Sequence, residues 1–153
     1  MTGDYFRWLD LPPVWLIATM ALAWVIGWAL PAATLSHPAL NAAGWALIAA
    51  GAGLMGWCGL WFRRRRTSII PRQKPEALIT EGPYRMSRNP IYLADAVILA
   101  GWVTLIGAPL ALVTLPLFAA IINRRFIAGE EAVLGETFGA EFTAWCKTVR
   151  RWI

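Results

Sequence analysis

Residues 11–30, LPPVWLIATMALAWVIGWAL, contain no charged side chain. A stretch of this kind suits hydrocarbon, whose thickness of about 30 Å is crossed by about 20 helical residues. In hydrocarbon every peptide N–H and C=O must find its partner within the segment, so the run is expected to be a helix. Its length and its tryptophans mark a retained anchor rather than a cleaved leader. A second uncharged run covers residues 39–62 and ends in WCGLWF, an aromatic belt of the kind that settles at headgroup level. The turn PAATLSHP joins the two. Only here does composition matter: 58% of the chain is hydrophobic and 15% is charged, against about 45–50% and about 25% in a soluble domain. Too little polar surface remains to cover a water-soluble fold, and the chain reads as an integral membrane protein.

After Phe62 come four arginines, Arg63 to Arg66, and a polar stretch through Glu81 broken by Pro71 and Pro75. Apolar sequence resumes over 91–106, stops at GAP (107–109), continues over 110–122 and ends in NRR. At 1.5 Å per residue these two runs extend about 24 and about 20 Å, short for full spans, and predict a tight helical hairpin kinked near Pro116. In the tail, Leu134, Phe138, Phe142, Trp145 and Val149 recur at steps of three or four residues, which gives a helix one apolar face; Gly139 weakens it in the middle. The expected fold is an all-α integral membrane protein: four transmembrane helices, the last two a tight hairpin, plus a cytoplasmic amphipathic C-terminal helix. Residues 1–153 form a single membrane domain. It divides into two N-terminal spans (11–62), a cytoplasmic connector (63–90), the hairpin (91–123) and a cytoplasmic C-terminal helical segment (124–153).

With the N-terminus inside and four crossings, all 14 Lys and Arg fall on the inner side: Arg7, eight between Arg63 and Arg88, and five from Arg124 onward. This is the positive-inside pattern without exception. The pI of about 9.9 therefore reports orientation and contact with anionic membrane lipids, not nucleic acid. Cys58 and Cys146 are expected to be free thiols, and with His37 as the one histidine no metal-site spacing appears.

GAGLMG, Gly51 to Gly56, matches G-x-G-x-x-G letter for letter. The dinucleotide fingerprint requires a strand before it and a helix after it, whereas these glycines sit inside an apolar helix. Close helix packing is the better reading, with Ala49 and Gly53, or Ala52 and Gly56, one turn apart.

Three features carry possible chemistry. In GPYRMSRNPIY, Gly82-Pro83 is a turn signal and Pro90 suits the first turn of the third helix. Arg85 and Arg88 then lie just outside a helix N-terminus, where an anion is favoured; a basic anchor is the plainer alternative. Asp95 stands about one turn into the third span, where an acid is costly and faces a cavity or a partner. Pairing with an arginine of the same cluster is weighed slightly above ligand contact. In RRFIAGEE, Glu130 and Glu131 point about 100° apart on a helix, poorly placed as a facing acid–base pair but able to hold a cation or ribose hydroxyls. Solvated charge at a helix start is the alternative. A ligand with both signs of charge fits the three together, and S-adenosylmethionine is one such molecule.

LITEGPYRMSRNPIYLAD, followed by EEAVLGETFGAEFTAWCKTVRRW, resembles the isoprenylcysteine carboxyl methyltransferase-like family of integral membrane methyltransferases, whose relatives include phospholipid N-methyltransferases. The resemblance covers residues 78–152. It implies S-adenosylmethionine as cofactor, held by Leu78, Thr80, Gly82, Tyr84, Arg88, Asn89, Pro90, Tyr92, Glu130 and Glu131. It implies catalytic roles for Arg88, Arg125 and Glu130, with Arg125 meeting an acceptor carboxylate. Asn89 stands where eukaryotic members carry histidine, and Ala94 replaces a usual glycine; the asparagine variant implies a bacterial inner membrane. The implied reaction is methyl transfer to a lipophilic small molecule or lipid, a carboxylate first and a phospholipid-type amine as the alternative, with no obligate protein partner. A non-catalytic membrane protein that binds anionic lipid through its basic loop is the rival from another class.

Overall fold

A computed structural model describes residues 10–65 and 77–153. Arg7, Arg66, Arg72 and Lys74, part of the expected basic inner face, lie outside the described residues. The described chain is helical, without a strand. Helix α1 is Pro12–Ala29, α2 Pro38–Arg65, α3 Pro90–Ile106, α4 Thr114–Ile122 and α5 Ala128–Thr148. Three of them open on a proline, whose missing N–H falls where a helix has no acceptor for it and whose fixed φ suits the first turn. Arg63, Arg64 and Arg65 close α2, where positive charge meets the negative end of the helix dipole.

Three helical runs are long and apolar enough to cross a membrane: Pro12–Ala29, Pro38–Arg65 and Pro109–Thr148. The 17-residue α3 is apolar but shorter. It is nevertheless the central helix, with α2 packed along one side and α1 and α4 on the other. Leu99, Val103, Phe118 and Ile122 form the heart of the core, and the Trp102 indole donates to the Met20 carbonyl at 3.0 Å to tie α3 to α1. Ile17, Trp24, Trp28 and Trp45 face outward, which water would penalise and lipid does not.

Helices α2 and α3 approach so closely because glycines leave the room. A Cβ added at Gly44 would lie 2.9 Å from the Gly101 carbonyl, at Gly101 2.7 Å from the Gly44 carbonyl, and at Gly51 2.8 Å from the Ala94 carbonyl. The buried stripe of α2 is Gly44, Gly51, Cys58, one heptad apart. This corrects the expected pairs: Ala49, Ala52, Gly53 and Gly56 are exposed, and Gly53 and Gly56 have nothing within 4 Å of an added Cβ. Small residues occupy both faces of α2, so spacing alone could not choose between them. The G-x-G-x-x-G lies wholly within this helix, and the dinucleotide reading is excluded.

Gly107 closes α3 in the left-handed region at φ 61°. The Leu35 N–H donates to its carbonyl at 2.6 Å, and a Cβ here would collide with the Leu35 carbonyl. The hairpin corner is thereby pinned to the turn between α1 and α2. Beyond it the helix starts tight, a 3₁₀ turn over Pro109–Val113, and relaxes to α at Thr114. Pro116 thus sits in the first turn of α4, and the change of helix type falls just ahead of it. The expected boundary at NRR is absent. Asn123–Ile127 forms a π-turn that carries α4 into α5 without a loop. The expected weakness at Gly139 is an actual kink, with φ 49° and ψ −114°.

Gly101→Ala should lower stability by about 1–3 kcal/mol through overpacking, whereas Gly53→Ala, free of neighbours, should be neutral or slightly stabilising. Thermal unfolding in detergent checks the contrast; equal shifts would show that α2 and α3 do not meet at these glycines.

Candidate functional site

The connector reaches the site through a turn built around Gly82. Its φ is +60°, and an added Cβ would lie 2.2 Å from the Trp61 Nε1, so only glycine lets the loop press on the end of α2. Gly82–Arg85 forms a short 3₁₀ turn in which Pro83 is buried. It sets the Tyr84 ring edge-on to Phe62, centroids 6.0 Å apart. Burial, with the nearby Cys58 thiol and Glu130 carboxylate adding to it, raises the Tyr84 phenol well above its ordinary range, so it remains a neutral hydrogen-bonding group. Leu78 and Thr80 lie half-buried in the approach to this turn. Exposed Glu81 accepts from Arg65 at 2.5 Å.

The next three residues bind the C-terminal end of the chain. Ser87, fully buried, donates through Oγ to the Arg151 carbonyl at 3.1 Å and accepts from the Asn89 N–H at 3.0 Å. The Arg88 N–H donates to the Arg150 carbonyl at 2.9 Å. Its Nη1 donates to the carbonyls of Cys146 and Val149 at 3.1 and 3.2 Å, and Nη2 pairs with Glu131 at 3.1 Å. Asn89 Nδ2 donates to the Arg151 carbonyl at 3.1 Å. Glu131 is shared, since the Arg151 guanidinium holds its other oxygen. The Trp152 indole donates to Asn123 Oδ1 at 3.3 Å. Orphan carbonyls at the end of α5 are therefore satisfied by a guanidinium from the start of α3.

The two acidic residues at the start of α5 diverge, as adjacent positions on a helix must. While Glu131 turns to the arginines, Glu130 accepts from the Tyr92 hydroxyl at 2.7 Å. Tyr92 is buried and tilted against Phe126, centroids 6.3 Å apart. Residues from the two sequence motifs, nearly forty positions apart, thus stand in direct contact.

Other candidates fall elsewhere. Arg85 is exposed, and the expected pair of arginines flanking an anion is reduced to Arg88, whose charge a protein carboxylate already meets. Arg125 donates through Nε to Asp10 at 3.0 Å, and its guanidinium lies 4.9 Å over the Trp15 ring. Trp15 in turn donates to the same Asp10 oxygen at 3.1 Å. Asp95 is 5% exposed and has no hydrogen bond or ion pair among the described residues; the arginine partner expected for it is absent there. An open apolar groove of about 410 Å³, lined by Ile17, Met20, Ala21, Trp24 and Trp102, lies further along α1 and α3.

Among the described residues two buried donors, Arg88 Nε and Trp145 Nε1, find no acceptor. Trp145 is the neighbour of Cys146, whose carbonyl Arg88 holds. Donors of this kind suit a ligand bearing carboxylate or hydroxyl oxygens.

A sequence profile of phospholipid methyltransferases matches residues 39–141, from the start of α2 to just past the Gly139 kink. The chain belongs to the phospholipid methyltransferase family. An uncharacterized protein of Haemophilus influenzae is 36% identical over 63 residues, which cover 41% of this chain and 100% of that protein.

Ser87, Arg151, Trp152 and Asn123 escaped the sequence reading. A serine two residues before an asparagine N–H is a local turn signal, but nothing local announces that Arg151 returns to Glu131. Arg88→Ala leaves Glu131 to Arg151 alone and strands the carbonyls near the end of α5. It should cost about 3 kcal/mol and raise hydrogen exchange over residues 146–152 more than within α3. Unchanged protection there would show that Arg88 does not fasten the tail.

Proposed function

We propose that this protein transfers a methyl group from S-adenosylmethionine to a lipophilic acceptor at the cytoplasmic face of a bacterial inner membrane, with four crossings and both termini inside. The observation that carries the reading is the meeting of the connector's end and the first turn of α3 with the start of α5, through Arg88–Glu131 and Tyr92–Glu130. Attraction of anionic lipid needs charge but no such meeting, which weighs against a purely electrostatic membrane anchor.

In this reading Leu78, Thr80, Gly82, Tyr84, Asn89, Pro90 and Tyr92 surround the cofactor, with Arg88, Glu130 and Glu131 setting the charges around it. The cofactor supplies an electrophilic methyl on a sulfonium. The protein's part is to orient the two reactants and exclude water, which contributes through effective molarity and preorganised charge. Glu130 is oriented by the Tyr92 hydroxyl.

A carboxylate acceptor would be met by Arg125, and needs no base. Yet the Arg125 charge is already answered by Asp10 and its face is covered by Trp15. That pairing favours a second reading, a nitrogen acceptor of the phospholipid type.

S-adenosylhomocysteine should raise the melting temperature of the detergent-purified protein, and Glu130→Ala should abolish that shift. Arg125→Ala should leave the shift intact and lower turnover if the acceptor is a carboxylate. Absence of any shift in the wild type at saturating S-adenosylhomocysteine would overturn the methyltransferase reading.

A second expectation concerns the turn. Gly82→Ala should weaken S-adenosylhomocysteine binding at least tenfold, because the added Cβ displaces the connector from Trp61 and moves Tyr84 with it. Binding within twofold of wild type would separate this turn from the cofactor site.

A further inference from the structure

Asp95 is used by none of the contacts described above. It lies one turn beyond Tyr92 on α3, 5% exposed, with no hydrogen bond or ion pair among the described residues. A carboxylate within an apolar helix is expensive unless a partner or a cavity receives it. The neighbouring arginines are committed elsewhere: Arg88 and Arg151 to Glu131, Arg125 to Asp10. Asp95 shares the end of α3 that carries the site, three residues beyond the Tyr92 whose hydroxyl holds Glu130. A buried carboxylate that no cation among the described residues answers, one turn from a tyrosine tied to Glu130, is matched to a cationic guest.

We propose that Asp95 is the proton acceptor for a nitrogen nucleophile entering from the bilayer. The inference rests on the methyltransferase reading and specifies its acceptor. An ammonium has no lone pair with which to attack. Its N–H proton passes to the Asp95 carboxylate; the freed lone pair forms the N–CH₃ bond as the S–CH₃ bond breaks and its electrons stay on sulfur. The products are S-adenosylhomocysteine, the methylated amine and a protonated Asp95, which returns its proton to water. A carboxylate acceptor would need no such group, and Asp95 would then be a cost without a return.

The test uses the full-length protein in detergent, with S-adenosylmethionine tritiated on the methyl group and a bacterial membrane lipid extract containing phosphatidylethanolamine. The wild type should bind S-adenosylhomocysteine and deposit label in lipid that survives mild base, as an N-methyl group does and a methyl ester does not. Asp95→Asn should keep the wild-type affinity for both S-adenosylmethionine and S-adenosylhomocysteine and unfold at an equal or higher temperature, since a buried charge has been removed. It should lose about 10²–10⁴-fold in turnover, the range of a missing general base. With S-adenosylhomocysteine bound, phosphatidylethanolamine should raise the wild-type melting temperature more than phosphatidylglycerol does, and the variant should lose that preference.

Failure of the wild type to bind S-adenosylhomocysteine overturns the methyltransferase reading and this role with it. Bound S-adenosylhomocysteine with base-labile label, or with no label in any lipid, overturns the role of Asp95 alone. So does an Asp95→Asn variant within threefold of wild-type turnover, or one that loses affinity for S-adenosylmethionine, which would make Asp95 a cofactor ligand. If Asp95→Asn does not fold, Asp95→Ala takes its place under the same readings, and failure of both marks Asp95 as structural and overturns the proposal.

Discussion

Glu131 holds the site together. One carboxylate accepts from Arg88, which precedes α3, and from Arg151, which follows α5. Arg88 in the same reach satisfies two carbonyls near the end of α5. Partial burial makes the pair consequential. Arg88 and Glu131 side chains are 14% and 16% exposed, so water does little to screen them, and losing Glu131 would leave the Arg88 guanidinium without its charge partner. The exposed Arg65–Glu81 pair, by contrast, contributes little. Once the end of α5 is held against the start of α3, the start of α5 has nowhere to place Glu130 except beside Tyr92.

Around this fixed point the membrane helices need few specific interactions. Hydrocarbon leaves no penalty on exposed tryptophans and rewards close backbone approach instead, which the glycines of α2 and α3 permit. The short α3 acquires its central place by touching α1, α2 and α4. Its length matters less than its position.

Much of this was legible in advance, for identifiable reasons. Uncharged runs and prolines placed the helices to within three residues: residues 11–30 against Pro12–Ala29, and 39–62 against Pro38–Arg65. The apolar spacing of the tail anticipated the buried Phe142 and Trp145 and the exposed Glu136, Glu141 and Lys147. What could not be read depends on tertiary choice. Small residues on two faces of α2 left the packing face open. Charged residues at NRR suggested a helix boundary, yet a π-turn needs no breaker and leaves no mark in composition. The partners of Arg88 are backbone carbonyls some sixty residues away, which no side-chain pattern encodes. The candidate site was therefore recognisable as an assembly of two motifs, while the division of labour within it, Arg88 toward the tail and Glu130 toward Tyr92, required the fold.

The π-turn at Asn123–Ile127 sets an angular phase. It is one residue longer per turn than the regular helix on either side, so everything beyond it is rotated by about 100° relative to an uninterrupted α-helix. That offset decides which side of α5 looks back at α3. Ironed out into ordinary helix, the same sequence would swing the Glu130 carboxylate away from the tyrosine and leave the apolar stripe of α5 aimed in a different direction. The orientation of the acidic pair is thus written in the pitch of the backbone two turns upstream, not in the side chains that surround it.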